Sequence, residues 1–117
     1  MKNTFDLFAQ NELNYQPAEY KHPGLCNNQL VKLKRHGTAT VCIDLHGMST
    51  DHAEQSIINC FKQHPENCII EIIHGIGKLK LQQHIRYFLS NHTRCYAYWQ
   101  PKPNTQATLY CHLITEK

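Results

Sequence analysis

Two apolar runs in the sequence each end at the dipeptide His-Gly, and each is followed by residues with helical spacing. The first run is ATVCIDLHG, residues 39–47, and the second is NCIIEIIHG, residues 67–75. Short apolar runs are typical of buried strands, and two strands joined through a helix usually lie parallel in one sheet. Because parallel strands end at the same edge, the sequence predicts that both His-Gly pairs share one edge of a sheet.

The segments after these two runs have the pattern of amphipathic helices. Ser49 is expected to cap the first helix, with Asp51 in the first turn, where the helix dipole favours an acidic side chain. A second helix is expected from about Leu79 to Ser90. Apolar residues three and four positions apart give each helix one buried face. The predicted core is shared by Ile57, Phe61, Ile70, Ile72, Ile85, Phe88 and Leu89.

Two further apolar runs complete the predicted sheet. They are CYAYWQ, residues 95–100, and ATLYCHLI, residues 107–114, and the loop PKPNTQ separates them. The order β-α-β-α-β-β predicts an α/β fold, a two-layer sandwich in which two helices pack on a four-stranded mixed sheet. Tyr96, Tyr98 and Trp99 are expected in the sheet core and edge, although Trp99 lies near the loop and is also placed to stack on a base.

The chain divides near residue 40. Residues 1–39 have no sustained periodicity and are predicted to form a partly extended N-terminal arm, with a short helix at about residues 28–35. Residues 1 to 27 are expected to be mobile or to lie over the domain surface. Residues 40–117 are predicted to form one domain, since 117 residues suffice for a single small core. Lys32, Lys34 and Arg35 make the arm basic, and they either contact phosphate groups or form a solvated face.

Composition sets only broad limits on function. A net charge of +3 and nine histidines permit a nucleic-acid partner without requiring one. No apolar stretch approaches the length of a signal peptide core or a membrane span, so the protein is predicted to be cytoplasmic, with no membrane partner. The six cysteines form no CxxC pair and lie mostly in apolar runs, which predicts reduced, packed thiols. The sequence does not predict an oligomeric state.

The shared edge of the sheet collects residues suited to binding a phosphate group. Gly47, Gly75 and Gly77 lie in the loops that follow the two strands. A phosphate there would meet backbone amides at a helix start and the side chains of Lys78 and Lys80. The sequence therefore predicts a phosphodiester-binding pocket at this edge.

The same edge carries groups for acid-base chemistry. His46 and His74 are predicted to supply one general base and one general acid, because imidazole titrates near neutral pH. Asp44 lies two residues before His46, on the same side of an extended strand, and is expected to orient that ring. With RNA, the ribose 2′-hydroxyl is an internal nucleophile and no cofactor is required. With DNA, water must be activated, which calls for a divalent metal.

Structural explanations compete with each of these assignments. Asp44 is also suited to capping the turn at residues 46–47. Lys78 and Lys80 are also explained as solvated charges at a helix start. A zinc site formed by Asp44, His46, His74 and His112 is the weakest alternative, and no metal ligand is predicted.

The sequence resembles the Smr (small MutS-related) domain family. The resemblance rests on IDLHGMS, IIHGIGKLKLQQHIRYFL and ATLYCHL, which match the family's Leu-Asp-x-His-Gly motif, its HGxGxG motif and its last strand over about residues 40–115. The basic segment before the first strand is similar to that of stand-alone bacterial Smr proteins. The resemblance implies a fold like the C-terminal domain of translation initiation factor three, and nicking or cleavage of nucleic acid.

The resemblance has two departures. Leu79 replaces the third glycine of HGxGxG, and PNTQAT replaces a glycine-rich segment before the last strand. Both remove sites where backbone approaches a ligand closely. The function predicted is an endonuclease that cleaves phosphodiester bonds, with RNA, including ribosome-associated message, favoured over DNA. The alternative is a non-catalytic module that binds nucleic acid or the ribosome.

Overall fold

A computed structural model describes residues 16–77, 79–101 and 107–115. Within these residues the chain has an α/β fold with three helices and a five-stranded mixed sheet. In chain order the elements are β1 (Tyr20–Lys21), α1 (Asn27–His36), β2 (Val41–Asp44), α2 (Thr50–Gln63), β3 (Cys68–Ile73), α3 (Leu79–Ser90), β4 (Cys95–Trp99) and β5 (Thr108–Leu113).

The strand order in the sheet is β1-β4-β5-β3-β2. Strands β2 and β3 are parallel neighbours, as predicted, whereas the other pairs are antiparallel. The prediction of four strands was wrong by one, because β1 adds an edge strand beside β4. This strand has only two residues and therefore no periodicity that a sequence pattern could show. Its pairing is continued by His22, whose backbone N–H donates to the carbonyl of Tyr96 at 2.7 Å.

Helices α2 and α3 pack together on one face of the sheet, over the main core. Ser49 caps α2 as predicted, since its hydroxyl accepts a hydrogen bond from the backbone N–H of His52 at 3.1 Å. The prediction of one shared core is confirmed: six of the seven named residues are buried in this cluster, and Phe88 is partly buried against it.

Helix α1 covers part of the opposite face, so the predicted two-layer arrangement with two helices was incomplete. Leu25 and Leu30 are buried there against Ile69, Ala97 and Trp99. The sequence pattern did not predict that α1 packs on the sheet, because Leu30 is the one buried residue of this helix. Trp99 is 1% exposed, which makes it a core residue and not a base-stacking platform.

A bulge in β4 lets this strand place side chains in the cores on both faces of the sheet. The register with β5 shifts between Cys95 and Ala97, so one residue is added to β4 at this point. As a result, Cys95 and Tyr98 lie in the main core, whereas Ala97 lies in the cluster under α1. An inserted residue of this kind reverses the alternation of side chains between the two faces of a strand.

The buried guanidinium of Arg94 connects three segments at the edge of the sheet remote from the His-Gly loops. Its Nε donates to the carbonyl of Ile114, its Nη1 to that of Phe61 and its Nη2 to that of His64, each at 2.8 Å. Arg94 therefore ties the end of α2 to the segment after β5.

The described part of the predicted arm lies against the domain. The backbone N–H of Gln16 donates to the side chain of Gln83 in α3, and the Tyr98 hydroxyl donates to the carbonyl of Pro17 at 2.9 Å. The predicted short helix is confirmed as α1. The boundary at residue 40 and the likeness to the initiation factor domain stay predictions, and residues 1–15 of the arm lie outside the described ranges.

All six cysteines are free thiols. Among the parts of the chain that the structure describes, every helix is too short or too polar to cross a lipid bilayer.

Candidate functional site

The two His-Gly pairs meet where β2 and β3 end. Asp44 lies opposite Ile73 in the parallel pairing, and the backbone N–H of Leu45 donates to the carbonyl of Ile73 at 2.7 Å. A Cβ atom placed on Gly75 would lie 3.1 Å from the Cβ of His46. The sequence prediction that both pairs share one edge is therefore confirmed in its geometry.

Asp44 and His46 form a hydrogen-bonded pair on the surface of this edge. The Asp44 Oδ1 atom lies 2.6 Å from His46 Nδ1 and also accepts the backbone N–H of His46 at 3.1 Å. These bonds lower the pKa of the Asp44 carboxyl, because they stabilise its charged form. The carboxylate therefore holds the His46 ring with a proton on Nδ1, which leaves Nε2 as the nitrogen that exchanges protons. The His46 side chain is 70% exposed, so a large substrate can reach it.

The capping role considered for Asp44 is also present. Its carboxylate binds the backbone of the turn at residues 46–47 and the ring of His46 at the same time. One side chain thus fixes both the loop and the imidazole that projects from it.

His74 has a different environment, being only 2% exposed. Its Nδ1 donates to the carbonyl of Gly75 at 2.8 Å, and its buried Nε2 has no hydrogen-bond partner among the described residues. Burial lowers the pKa of His74, and the nearby charge of Arg86 lowers it further. The His74 ring thus lies beneath the loop in surroundings that disfavour its charged form, and its predicted role as a general acid or base stays a prediction.

The start of β5 holds the second His-Gly pair in place. The backbone N–H groups of His74 and Gly75 both donate to the carbonyl of Ala107, at 2.8 and 3.1 Å. The Gly75 amide is therefore already bonded and does not point to a phosphate in this conformation. No sequence signal could reveal this contact, because it uses backbone groups of residues more than 30 positions apart.

Arg86 is the second neighbour of His74 that the sequence prediction missed. It is 7% exposed and lies on α3 among the apolar residues that face the core. The sequence signal for a buried arginine was its place among the apolar residues of α3, next to Ile85 and three residues before Leu89. Arginine is seldom buried without a specific role.

The other predicted phosphate-binding residues of the loops are placed as follows. Lys80 is exposed in the first turn of α3. Gly47 has a positive φ of 78°, and added side chains at Gly47 and Gly77 would meet nothing within 4 Å. Lys78 lies outside the described residues.

The structure does not bring the basic residues of α1 to this edge. Lys32, Lys34 and Arg35 are exposed, and the Lys34 ammonium lies 2.7 Å from the Glu19 carboxylate. The helix ends beside Ile69, near the amino end of β3. At about 3.3 Å per residue, that end lies roughly 15 Å from the His-Gly edge.

The four residues considered for zinc do not converge. His112 pairs with Ile69 in the sheet, at the opposite end of β3 from His74. Within residues 16–77, 79–101 and 107–115, no three His, Cys, Asp or Glu side chains are grouped so that they could hold a metal ion.

Buried and half-buried histidines make the stability of the protein depend on pH. Burial lowers the pKa values of His74, His92 and His112, so the unfolded chain binds protons on these rings at a higher pH than the folded protein does. The contribution of these histidines to the free energy of unfolding should therefore be fully present at about pH 7.5 and be lost as the pH drops through about 6.5, the ordinary value for histidine.

Urea unfolding between about pH 7.5 and 5.5 measures this effect, above the range in which carboxyl groups titrate. His74→Gln should flatten the slope, whereas replacing the exposed His36 with glutamine should not. A free energy of unfolding that stays constant over this range would contradict the burial of these rings.

Comparison with known proteins agrees with the motif pattern. The Smr domain matches residues 43–108, which is more than half of the chain. A ribosome rescue factor SmrB from Aeromonas hydrophila is 32% identical over 89 residues, covering 72% of this chain and 50% of that protein. A protein of the same name from Yersinia pseudotuberculosis is 28% identical over 104 residues, covering 86% of this chain and 58% of that protein. The chain thus spans only half to three-fifths of these relatives.

A solved structure shows the same fold. The crystal structure of YdaL, a stand-alone small MutS-related protein from Escherichia coli, superposes with a TM-score of 0.68 at 19% identity, covering 87% of this chain and 86% of that one. The paired His-Gly loops, the matched domain and the shared fold together show that this chain belongs to the Smr domain family.

Proposed function

We propose that this protein is a nucleic-acid endonuclease that acts in association with the ribosome and prefers RNA to DNA. The observation that carries the proposal is the Asp44–His46 pair, with 2.6 Å between carboxylate and imidazole, exposed beside a glycine loop and a lysine-bearing helix start. The name of the SmrB relatives, ribosome rescue factor, supports the ribosome as a partner.

The His46 ring is suited to act as the general base. Its Nε2 would take the proton of a ribose 2′-hydroxyl, and the 2′-oxygen would attack the adjacent phosphorus. The bond from phosphorus to the 5′-oxygen then breaks, and that oxygen takes a proton from solvent or a nearby cation. The products are a 2′,3′-cyclic phosphate and a 5′-hydroxyl. Asp44 keeps His46 in the reactive tautomer and stabilises the imidazolium that forms.

His74 supports this chemistry by a less direct route. Because its ring is buried and bonded to the Gly75 carbonyl, it holds the loop against which His46 packs. A role as general acid, the second half of the two-histidine hypothesis, requires the loop to open and expose Nε2. Positioning of the loop needs no such change and is the role we assign.

Positive charge would bind the phosphate backbone. Lys80 is exposed in the first turn of α3, the helix that follows the second His-Gly loop, and Lys78 lies two residues before it in sequence. Lys32 and Arg35 are placed for a more distant phosphate, at the far end of β3. Such contacts raise affinity for nucleic acid of any sequence and make it depend on salt.

The proposal is tested by incubating the purified protein with labelled single-stranded RNA, duplex DNA and ribosome-bound message, with and without EDTA. RNA should be cleaved in both conditions, because attack by the 2′-hydroxyl needs no metal. Cleavage of DNA that EDTA abolishes would favour metal-activated water instead. Binding without cleavage of any substrate would favour a non-catalytic binding module.

Two glycines provide a matched test of the contact between the loops. Gly47 and Gly75 both have positive φ angles, 78° and 86°, so alanine at either should cost about 1–2 kcal/mol of stability. Only at Gly75 would the new methyl group press on His46. We therefore expect Gly75→Ala to lower the rate of cleavage about tenfold more than Gly47→Ala does, since small displacements of reacting groups are costly.

Single-turnover rates and urea unfolding of both variants measure the two effects. Equal rates for the two alanine variants, at equal stability, would show that the second loop does not position His46.

A further inference from the structure

Two exposed apolar side chains closely follow Gly75, the residue of the second loop that packs against His46. Ile76 is 74% exposed and Leu79 is 67% exposed. They are the two most exposed large apolar residues in the described part of the chain, ahead of Tyr87 and Val31. A single exposed apolar side chain is ordinary, but two within four residues at a reactive edge suggest a contact with a ligand.

Packing within the protein does not explain these side chains. Neither Ile76 nor Leu79 belongs to either core cluster. Leu79 begins α3, whose buried residues Leu81, Ile85 and Leu89 lie on the face toward the sheet. Ile76 directly follows Gly75, where an added Cβ would lie 3.1 Å from the Cβ of His46. Both apolar groups are therefore presented outward, from the loop that packs on the proposed general base.

The surroundings of this apolar pair determine what it can bind. Lys80 follows Leu79, and Gly75, which precedes Ile76, packs against His46, so the apolar pair lies between a cation and the proposed general base in sequence and along the loop. A nucleotide combines an anionic phosphate with an uncharged, flat base that gains from apolar contact. A phosphate held at His46 would have its attached base within reach of this loop.

We propose that Ile76 and Leu79 form a nucleobase subsite, which receives the unstacked base of a nucleotide adjoining the cleaved phosphodiester. This inference rests on the proposed nuclease function. Because a base must leave its stack to lie on these side chains, the subsite makes single-stranded nucleic acid the preferred ligand, with little preference among base types.

A protein partner fits the pair less well. Stable protein interfaces bury about 800 Å² on each partner, far more than two aliphatic side chains supply. The adjoining Lys80 ammonium also matches a phosphate backbone.

The test uses fluorescein-labelled 2′-O-methyl RNA oligomers, which lack the attacking hydroxyl and so remain intact during binding. One oligomer carries bases, and a second of equal length and charge is abasic. The full chain should bind the first about five- to tenfold more tightly, the difference expected when part of two aliphatic side chains is buried. The double variant Ile76→Ser, Leu79→Ser should bind both oligomers equally.

Val31→Ser is the matched control, because Val31 is also an exposed aliphatic residue but lies on α1. It should keep the preference for the base-bearing oligomer. The double variant removes no charge, so the dependence of affinity on salt should be unchanged. Circular dichroism should show both variants folded, since only exposed side chains change.

Several results would overturn the subsite. One is equal binding of the two oligomers by the unaltered chain. Another is a base preference that survives in the double variant. A third is loss of ribosome binding by a double variant that still prefers the base-bearing oligomer. The last would indicate a protein contact. Base preference that disappears in the double variant supports the subsite even if no RNA is cleaved, so failure of the nuclease proposal is distinguishable.

Discussion

Replacing His46 with alanine is expected to lower the rate of RNA cleavage by about 10²- to 10⁴-fold, the range typical for removal of a general base. The reason is that His46 is the more exposed member of the Asp44–His46 pair and the side chain against which Gly75 of the second loop packs. Affinity for RNA should change little, because the imidazole contributes mainly to the transition state. Single-turnover cleavage and anisotropy binding measure the two quantities separately.

Three companion variants sharpen this prediction. Asp44→Asn keeps a hydrogen-bond acceptor but removes the charge, so it should lower the rate while retaining the fold. His74→Gln should lower both rate and stability if His74 positions the loop. His36→Ala removes an exposed histidine of α1, and its rate should equal that of the unaltered protein. Unchanged cleavage by His46→Ala would remove His46 from the mechanism.

The largest effect on stability is expected from Arg94→Leu. Leucine can fill much of the space, but it leaves the carbonyl groups of His64 and Ile114 without their donor, whereas the Phe61 carbonyl keeps the backbone N–H of His64. At about 1 kcal/mol or more for each unsatisfied carbonyl, the free energy of unfolding should fall by about 2 kcal/mol or more. Urea unfolding monitored by the fluorescence of the buried Trp99 provides the measurement.

Arg35→Leu provides the matched control, since the same substitution on the exposed face of α1 breaks no buried hydrogen bond and should cost less than about 0.5 kcal/mol. A loss below about 1 kcal/mol for Arg94→Leu would show that water replaces the guanidinium at the three carbonyl groups.

The central part of the fold could be predicted because its signals are local. Apolar runs of strand length and the helical spacing of Ile57 and Phe61 each specify one element, and the helix that connects β2 to β3 then makes a parallel pair the expected arrangement. Strand β1 could not be predicted in this way, because two residues have no period. Its existence depends on hydrogen bonds to β4, more than 70 residues away in sequence.

The candidate site likewise contains one feature that could be predicted from the sequence and one that could not. The pairing of Asp44 with His46 could be predicted from a spacing of two residues at a strand end. The burial of His74 could not be predicted from such a spacing. It depends on the hydrogen bond to the carbonyl of Ala107 and on the position of Arg86 on α3. Residues in contact across the fold determine whether a histidine is accessible, and sequence spacing within one loop does not contain that information.

The identity of the nucleophile tests the central claim most directly. A labelled RNA oligomer that this protein cleaves at a known bond is compared with one in which the nucleotide on the 5′ side of that bond is a deoxynucleotide. The proposed chemistry predicts that cleavage at this bond stops, that cleavage elsewhere continues in EDTA, and that products carry 2′,3′-cyclic phosphates. Cleavage at an unchanged rate next to the deoxynucleotide would contradict attack by the 2′-hydroxyl with His46 as its base.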